Sequence, residues 1–408
     1  MKKIAITFSL LSFLFLVLFA CEKMLPPAPN DEDVLAGTIP DLTKDQEKEH
    51  LTGDAAFGKV FTANDGLGPV YVQTSCSNCH TGNGKGHPAT QLTRFANING
   101  TVIDYLISKG GPQLQSLSIA NYPAEELPVE ANVFTKRIAP AVMGLGFIAA
   151  LNDQDILNNV DSNDVNSDGI SGRINYVNPT PFFIPQNIHL PNNNKYIGRF
   201  GKKAEKVTLL DQVVFALKQD IGITSDFDTQ DIFNYMVGNN TGDNVTDPEV
   251  SSGFVNSLVF YLRTLKAPGR RNQNDADVLE GEKLFKQVGC ESCHKSSFTT
   301  TQSDISALSY KIFHPYSDFL LHDMGPALDD SYPEGGARSN EWRTPPLWGI
   351  GLAKDAQGGQ QFLLHDGRAN SFEAAISFHG GEAASRVSAF NSLSQEQKNQ
   401  LIKFLESL

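Results

Sequence analysis

Asp277-Val278-Leu279-Glu280-Gly281-Glu282-Lys283-Leu284-Phe285-Lys286, followed by Gly289-Cys290-Glu291-Ser292-Cys293-His294, is the stretch whose reading decides the architecture. Val278, Gly281 and Phe285 recur at spacings of three and four, so they share one face of a helix. The residues after them form a Cys-x-x-Cys-His pentad. In this pattern both thiols add to haem vinyl groups, and the adjacent histidine is placed to bind the iron from one face. The same grammar occurs earlier in the chain. Gly53, Phe57 and Phe61 precede a loop through Gly66, Gly68 and Pro69, and then comes Cys76-Ser77-Asn78-Cys79-His80.

Five cysteines are present, and the two pentads use four of them. A lone Cys-x-x-Cys also suits a redox dithiol or half a zinc site, but two copies, each with histidine directly after, point to two covalent haem c groups. The fifth is Cys21. Met1-Lys2-Lys3 opens an apolar run from Ile4 to Ala20 that reads as a secretory signal and ends in Leu18-Phe19-Ala20-Cys21, which resembles a bacterial lipobox. Residues 1–20 are thus read as a lipoprotein signal peptide, with Cys21 the lipid attachment site; an ordinary signal cleaved nearby is the alternative. Residues 21–50, with Pro26, Pro27, Pro29 and a charged segment to His50, read as a flexible tether. The expectation is an extracytoplasmic, membrane-anchored lipoprotein on the periplasmic side or the cell surface. The net charge of −13 argues against nucleic acid and suits a basic redox partner.

Two segments read as closing helices. One runs from Phe254 to Leu265. The other ends at Leu401-Ile402-Lys403-Phe404-Leu405-Glu406-Ser407-Leu408 and is opened by Ser394 with Gln397 three residues on, a capping-box pattern. Helix, pentad, loops and closing helix therefore occur twice, with Ala267-Pro268-Gly269-Arg270-Arg271-Asn272 as linker. This resembles the small cytochrome c domain, where glycine and an aromatic residue on the first helix meet the last. The expected fold class is mainly α: two cytochrome c-like domains with long loops, an enlarged N-terminal one at 51–266 and a C-terminal one at 272–408. Inside the N-terminal insertion, Asp164, Asn166 and Asp168 precede Gly169, the opening of a calcium loop, although Asn175 stands where its last acidic ligand belongs. An Asx-rich turn is the alternative.

The C-terminal block contains Trp342-Arg343-Thr344-Pro345-Pro346-Leu347-Trp348, Leu364-His365-Asp366-Gly367-Arg368 and Phe372-Glu373-Ala374-Ala375-Ile376. It resembles the corresponding block of bacterial di-haem cytochrome c peroxidases. A closer resemblance is to the di-haem c-type oxidoreductase family of peroxidase-like proteins, also labelled thiol oxidoreductases. That resemblance covers most of the mature chain through Arg137-Ile-Ala-Pro140, Gly144-Leu-Gly146, Asp168-Gly-Ile-Ser-Gly-Arg173, Gly198-Arg-Phe-Gly201, Pro315-Tyr-Ser-Asp318, His322-Asp-Met-Gly325 and His379-Gly-Gly-Glu382.

The resemblance implies haem-iron ligands. His80 and His294 are the proximal ones. In the peroxidases a methionine fourteen residues beyond the His-Asp-Gly histidine closes the second haem; fourteen residues beyond His365 stands His379. His379 is the expected distal ligand, with Met324 the alternative. A His/His pair lowers the potential relative to Met/His. His322 and His365, each beside an aspartate, also stand as loop-ordering pairs, and Trp342 and Trp348 as ordinary core. For the first haem the peroxidases imply an open position with a carboxylate nearby. Glu125, Glu126 and Glu130 are the catalytic candidates, and His87 and Met143 the candidate closing ligands.

The expected activity is electron transfer from the C-terminal to the N-terminal haem, with hydrogen peroxide or another small oxidant reduced there and a small redox protein as donor. A non-catalytic electron-transfer cytochrome is the alternative. Oxidation of a partner protein or metal is a third.

Overall fold

A computed structural model of the chain describes residues 30–238, 243 and 245–408. The signal segment 1–20 and Cys21 lie outside them.

Two helix pairs carry the two pentads. Helix α1 (Lys44–Gly58) starts in a capping box in which the Thr43 hydroxyl accepts from the Gln46 amide, and it buries His50, Gly53, Ala56 and Phe57. Helix α2 (Leu209–Ala216) runs directly into a wider π turn at Leu217–Ile221. Helix α3 (Ser252–Thr264) closes the N-terminal part and buries Val255, Leu258, Tyr261 and Leu262. It crosses α1 so closely that a Cβ on Gly53 would run into the Ser257 carbonyl. Helix α4 (Ala276–Val288) is capped by Asp275 and ends at Gly289, whose φ of 90° only glycine adopts without strain. Helix α5 (Phe372–Ser377) is short. Helix α6 (Gln395–Ser407) opens in the Ser394–Gln397 capping box read from the sequence. It packs on α4 with the Phe285 and Phe404 rings 5.2 Å apart.

The expectation of a mainly α fold is corrected here. The chain is about 34% helix and 13% strand, so its fold is mixed α and β with small sheets. Strand β1 (Leu92–Asn99) lies between β2 (Val102–Asp104) and β3 (Val133–Arg137) in an antiparallel sheet, with Phe95 opposite Phe134. Strands β4 (Leu321–Asp323) and β5 (Glu341–Arg343) pair with His322 opposite Trp342. The three-stranded sheet fills the long insertion after the first pentad. It buries Thr135 and Arg137 on alternate residues of β3, the period-two pattern of a strand.

Part of the expected tether is also docked. Leu35 and Ile39 are buried, the Ile39 amide donates to the Thr264 carbonyl at 2.8 Å, and the Lys266 amide to the Gly37 carbonyl at 2.8 Å. Backbone pairing along this edge supplies what the few apolar side chains do not.

The halves interlock. The larger apolar core holds Phe57, Leu258 and Tyr261 from the N-terminal part together with Phe313, Phe319 and Trp348 from the C-terminal part. A second core joins α4, α5 and α6 through Phe285, Phe372 and Phe404. The α4–α6 crossing depends on Gly281, whose Cβ would meet the Gln400 carbonyl and Phe404. Gly281→Ala should therefore overpack the crossing and cost about 1–3 kcal/mol, seen as a lower denaturant midpoint. An unchanged midpoint would show that the crossing has room to spare.

Candidate functional site

Both pentads open into one cavity of about 470 Å³. Cys76 and Cys79 flank a single helical turn whose cap, Ser75 Oγ, accepts from the Ser77 amide at 3.3 Å. Cys290 opens a tight turn immediately after Gly289. None of these four thiols is in a disulfide. Burial pushes Cys76, Cys79 and Cys290 up to about 12 and raises Cys293 as well. The aromatic residue of each preceding helix packs on its pentad histidine: Phe57 to His80 at 5.9 Å and Phe285 to His294 at 6.2 Å between ring centroids.

The pentad histidines are prepared in the same way. His80 Nδ1 donates to the Pro140 carbonyl and His294 Nδ1 to the Tyr316 carbonyl, each at 2.8 Å. That bond fixes the ring and leaves Nε2 as a lone-pair donor, the arrangement of a metal-bound imidazole. Burial lowers both pKa values to about 4, so the rings are neutral at pH 7. His379, just past the end of α5, repeats the device, with Nδ1 donating to the Ala375 carbonyl at 2.8 Å and its pKa lowered by burial. It lines the same cavity and lies within electrostatic range of His294. Met324 also lines the cavity.

The loop bearing His379 is clamped by Glu382. Its carboxylate accepts from the Ser171 amide (2.8 Å) and hydroxyl (2.6 Å), from the Asp323 amide (3.1 Å) and from His322 Nδ1 (2.9 Å). His322 gives its Nε2 proton to Asp318 at 2.9 Å, and its Nδ1 also lies 3.6 Å from the Cys293 sulfur. Burial opposes charging of His322, yet Asp318 and Glu382 hold its pKa well above the usual range. The partners of His322 are thus Asp318 and Glu382, not its neighbour Asp323. His365 stacks on Trp342 with centroids 4.1 Å apart and turns Nε2 toward Asp366 at 3.8 Å.

At the His80 end the cavity wall does not contain the three candidate acids. Glu126 and Glu130 are exposed, the latter paired with Lys109 at 3.3 Å. Glu125 is buried, accepts from the Gln115 amide at 2.9 Å, and is raised by burial to about 8, but it stands behind the wall. His87 accepts from the Ala89 amide and packs edge-on against Phe362, also away from the cavity. Met143 does line it. The polar residues lining the cavity include Glu205, Gln212 and Asp220, together with Lys85, Arg94, Arg137 and Lys202. Asp220 sits in the π turn, accepts from Gln113 Nε2 at 2.6 Å, and is raised by burial; its charge is felt by both Cys76 and Cys79. π turns recur at functional sites, but the helical pattern of α2 conceals this one in the sequence. The Gln212 carbonyl oxygen is buried without a partner among the described residues.

The calcium-like loop uses its oxygens locally. Asp164 accepts from the Gly169 amide at 3.1 Å, Asn166 from the Asp168 amide at 2.9 Å, and Asp168 from the Ile170 amide at 2.9 Å, as in Asx turns. Arg386 reaches the Asp168 carbonyl at 3.0 Å, which ties this loop to the C-terminal half.

Two thiol pairs, two neutral histidines with free Nε2 atoms and largely apolar walls fit haem at both pentads, so the fold and site define a two-haem redox protein. The family model described as "Di-haem oxidoreductase, putative peroxidase" matches residues 124–408, and the chain belongs to that family. The first pentad precedes the matched span. None of the curated proteins matches. Among solved structures, Kuenenia stuttgartiensis hydrazine synthase pressurised with xenon is 15% identical, with 91% of this chain and 94% of that chain covered and a TM-score of 0.38. So loose an overlay carries no argument about chemistry.

The clamp predicts an acid limb. Burial raises the Glu382 pKa, but bonds from His322, Ser171 and the Asp323 amide outweigh it and bring it down to about 2. A carboxylate depressed in the folded state stabilises above its unfolded pKa of about 4.3, and that contribution is lost as pH falls toward 2. Glu382→Gln should therefore lower the thermal midpoint at pH 7 and flatten its fall between about pH 4.3 and 2. Parallel acid limbs for both proteins would contradict the clamp.

Proposed function

We propose that this chain is a covalent di-haem c-type oxidoreductase that receives electrons at the C-terminal haem and reduces peroxide at the N-terminal one. The observation that carries the reading is the asymmetry of the cavity. His294 shares its end with His379, a second imidazole whose Nδ1 is tied back and whose Nε2 is free. The lining beside Cys76 and Cys79 carries instead the carboxylate of Asp220, whose charge both thiols feel. When bound, the haems supply one-electron carriage and an iron position for the oxidant.

The chain's own residues do the rest. Cys76, Cys79, Cys290 and Cys293 would hold the cofactors by thioether bonds, His80 and His294 would bind the irons, and His379 would be the second ligand of the C-terminal one. Asp220, its carboxyl pKa raised by burial, stands beside the first pentad, with the Gln113 amide fixing its orientation. That suits a general acid whose reach must be a direct hydrogen bond or one water. Apolar walls keep bulk water from the site. The chain is also read as exported and anchored through Cys21, with its acidic surface steering a basic donor protein.

The second reading, an electron-transfer cytochrome without catalysis, is favoured by Met143, whose side chain also lines the cavity. Stopped-flow mixing of the fully reduced protein with hydrogen peroxide separates the two. The peroxidase reading expects rapid reoxidation that saturates with peroxide, slowed at least tenfold in Asp220→Asn. Slow, non-saturating reoxidation with both haems low-spin would leave the electron-transfer reading.

A further inference from the structure

We infer that Lys85, Lys202 and Arg343 form a carboxylate cradle in the wall between the two pentads, and that its ligands are haem propionates. The inference rests on both haems occupying this cavity, not on what the protein reduces.

All three side chains line the cavity. Lys202 and Arg343 come from adjacent backbones: the Arg343 amide donates to the Lys202 carbonyl at 3.0 Å, and Arg343 Nε to the Gly201 carbonyl at 3.0 Å. Lys85 stands on the loop after the first pentad. That loop is fixed by the Gly86 amide on the Ala139 carbonyl at 2.9 Å and by Gln357 Nε2 on the Gly86 carbonyl at 2.7 Å.

What sets them apart is the absence of an anion. Three buried cations nearby are paired. Arg137 meets Asp330 at 2.7 Å and Glu334 at 2.5 Å, Lys203 meets Asp330 at 3.1 Å, and Arg94 pairs with Glu334. Among the described residues, Lys85 and Lys202 make no side-chain hydrogen bond or ion pair, and Arg343 donates only to backbone carbonyls, at Gly201 and Thr344. The carboxylates they feel are engaged elsewhere: Asp366 by Arg368 at 2.7 Å, and Glu205 by the Lys203 amide at 3.2 Å.

Burial, then Lys85, Arg137 and Arg343, hold the Lys202 ammonium well below its ordinary pKa. Burial also lowers Lys85 to about 8 and Arg343 to about 10. Unpaired cations on an apolar wall are unfavourable, and like charges gathered together more so. An apolar cavity with a cluster of cations on its wall fits an apolar ligand with anionic substituents. Haem is such a ligand. When its vinyl edge is bonded to a pentad, its propionate edge faces away from the cysteines, and charge-assisted bonds from lysine and arginine would pair those carboxylates. A cation beside a propionate also favours the reduced iron, so the cradle raises the potential of the haem it serves.

The test is optical redox titration of holoprotein at fixed pH for wild type, Lys202→Met, Lys202→Arg and Lys85→Met, with haem content read from the spectrum first. The expected result is a lower midpoint potential for at least one haem in each methionine variant, and a potential near wild type in Lys202→Arg. Added formate or phosphate should leave the wild-type midpoints unchanged. Wild-type potentials in both methionine variants would overturn the cradle. So would a saturable shift of wild type by added formate or phosphate that Lys202→Met abolishes, which would assign the cations to a free anion. Should Lys202→Met fail to retain haem, Lys85→Met decides by the same criterion. A wild-type protein lacking one or both haems would overturn the reading beneath the cradle, and the spectrum shows this before any potential is measured.

Discussion

An imidazole can offer Nε2 to iron only while Nδ1 keeps its proton and something accepts it. Three histidines here meet that condition through backbone carbonyls of Pro140, Tyr316 and Ala375. A backbone carbonyl cannot rotate away as a side chain can, so each ring's direction is set by the path of the main chain. Pro140 follows strand β3, Tyr316 lies in the loop before β4, and Ala375 belongs to α5. The irregular segments between the helices are what aim the ligands, and the helices with their glycine crossings hold those segments in register.

The cavity is also a shared property of the two halves. The insertion of the N-terminal part reaches across to brace the C-terminal site: Ser171 bonds Glu382, Arg173 pairs with Glu341, and the Asp168 carbonyl accepts from Arg386. Phe313, Phe319 and Trp348 return the contact by entering the N-terminal core. Neutral histidines, raised thiols and depressed lysines all follow from the resulting low dielectric. The pentad histidines are therefore neutral where iron is to be bound, and Arg137, Lys203 and Arg94 are matched by carboxylates, whereas Lys85, Lys202 and Arg343 on the cavity wall are not.

The pentads, the paired helices and both closing helices were legible because each has a local signature: ligand spacing, a three-and-four period, or a capping box. His379 is reached only through the resemblance, and it lines the cavity. What could not be read depends on contacts far apart in sequence. The sheet escaped because Leu92–Asn99 mixes polar and apolar residues, and its pairing with 133–137 spans a long loop. His322 stands beside Asp323, yet Glu382, sixty residues on, holds its Nδ1. Glu125 and Glu126 read as a charged pair in a loop, while Asp220 is hidden in a helical pattern whose widening into a π turn has no local marker. The docking of residues 35–39 is not legible because it is largely backbone pairing, which composition does not reveal.

The central claim is that one cavity holds two unlike haem sites, the second closed by His379 and the first left open beside Asp220. Low-temperature electron paramagnetic resonance of the fully oxidised holoprotein, compared with His379→Ala, tests it most directly. The account predicts one low-spin signal of bis-histidine type together with a separate high-spin or weakly ligated signal, and loss of the bis-histidine signal alone in the variant. Two low-spin signals, both unchanged by His379→Ala, would contradict it.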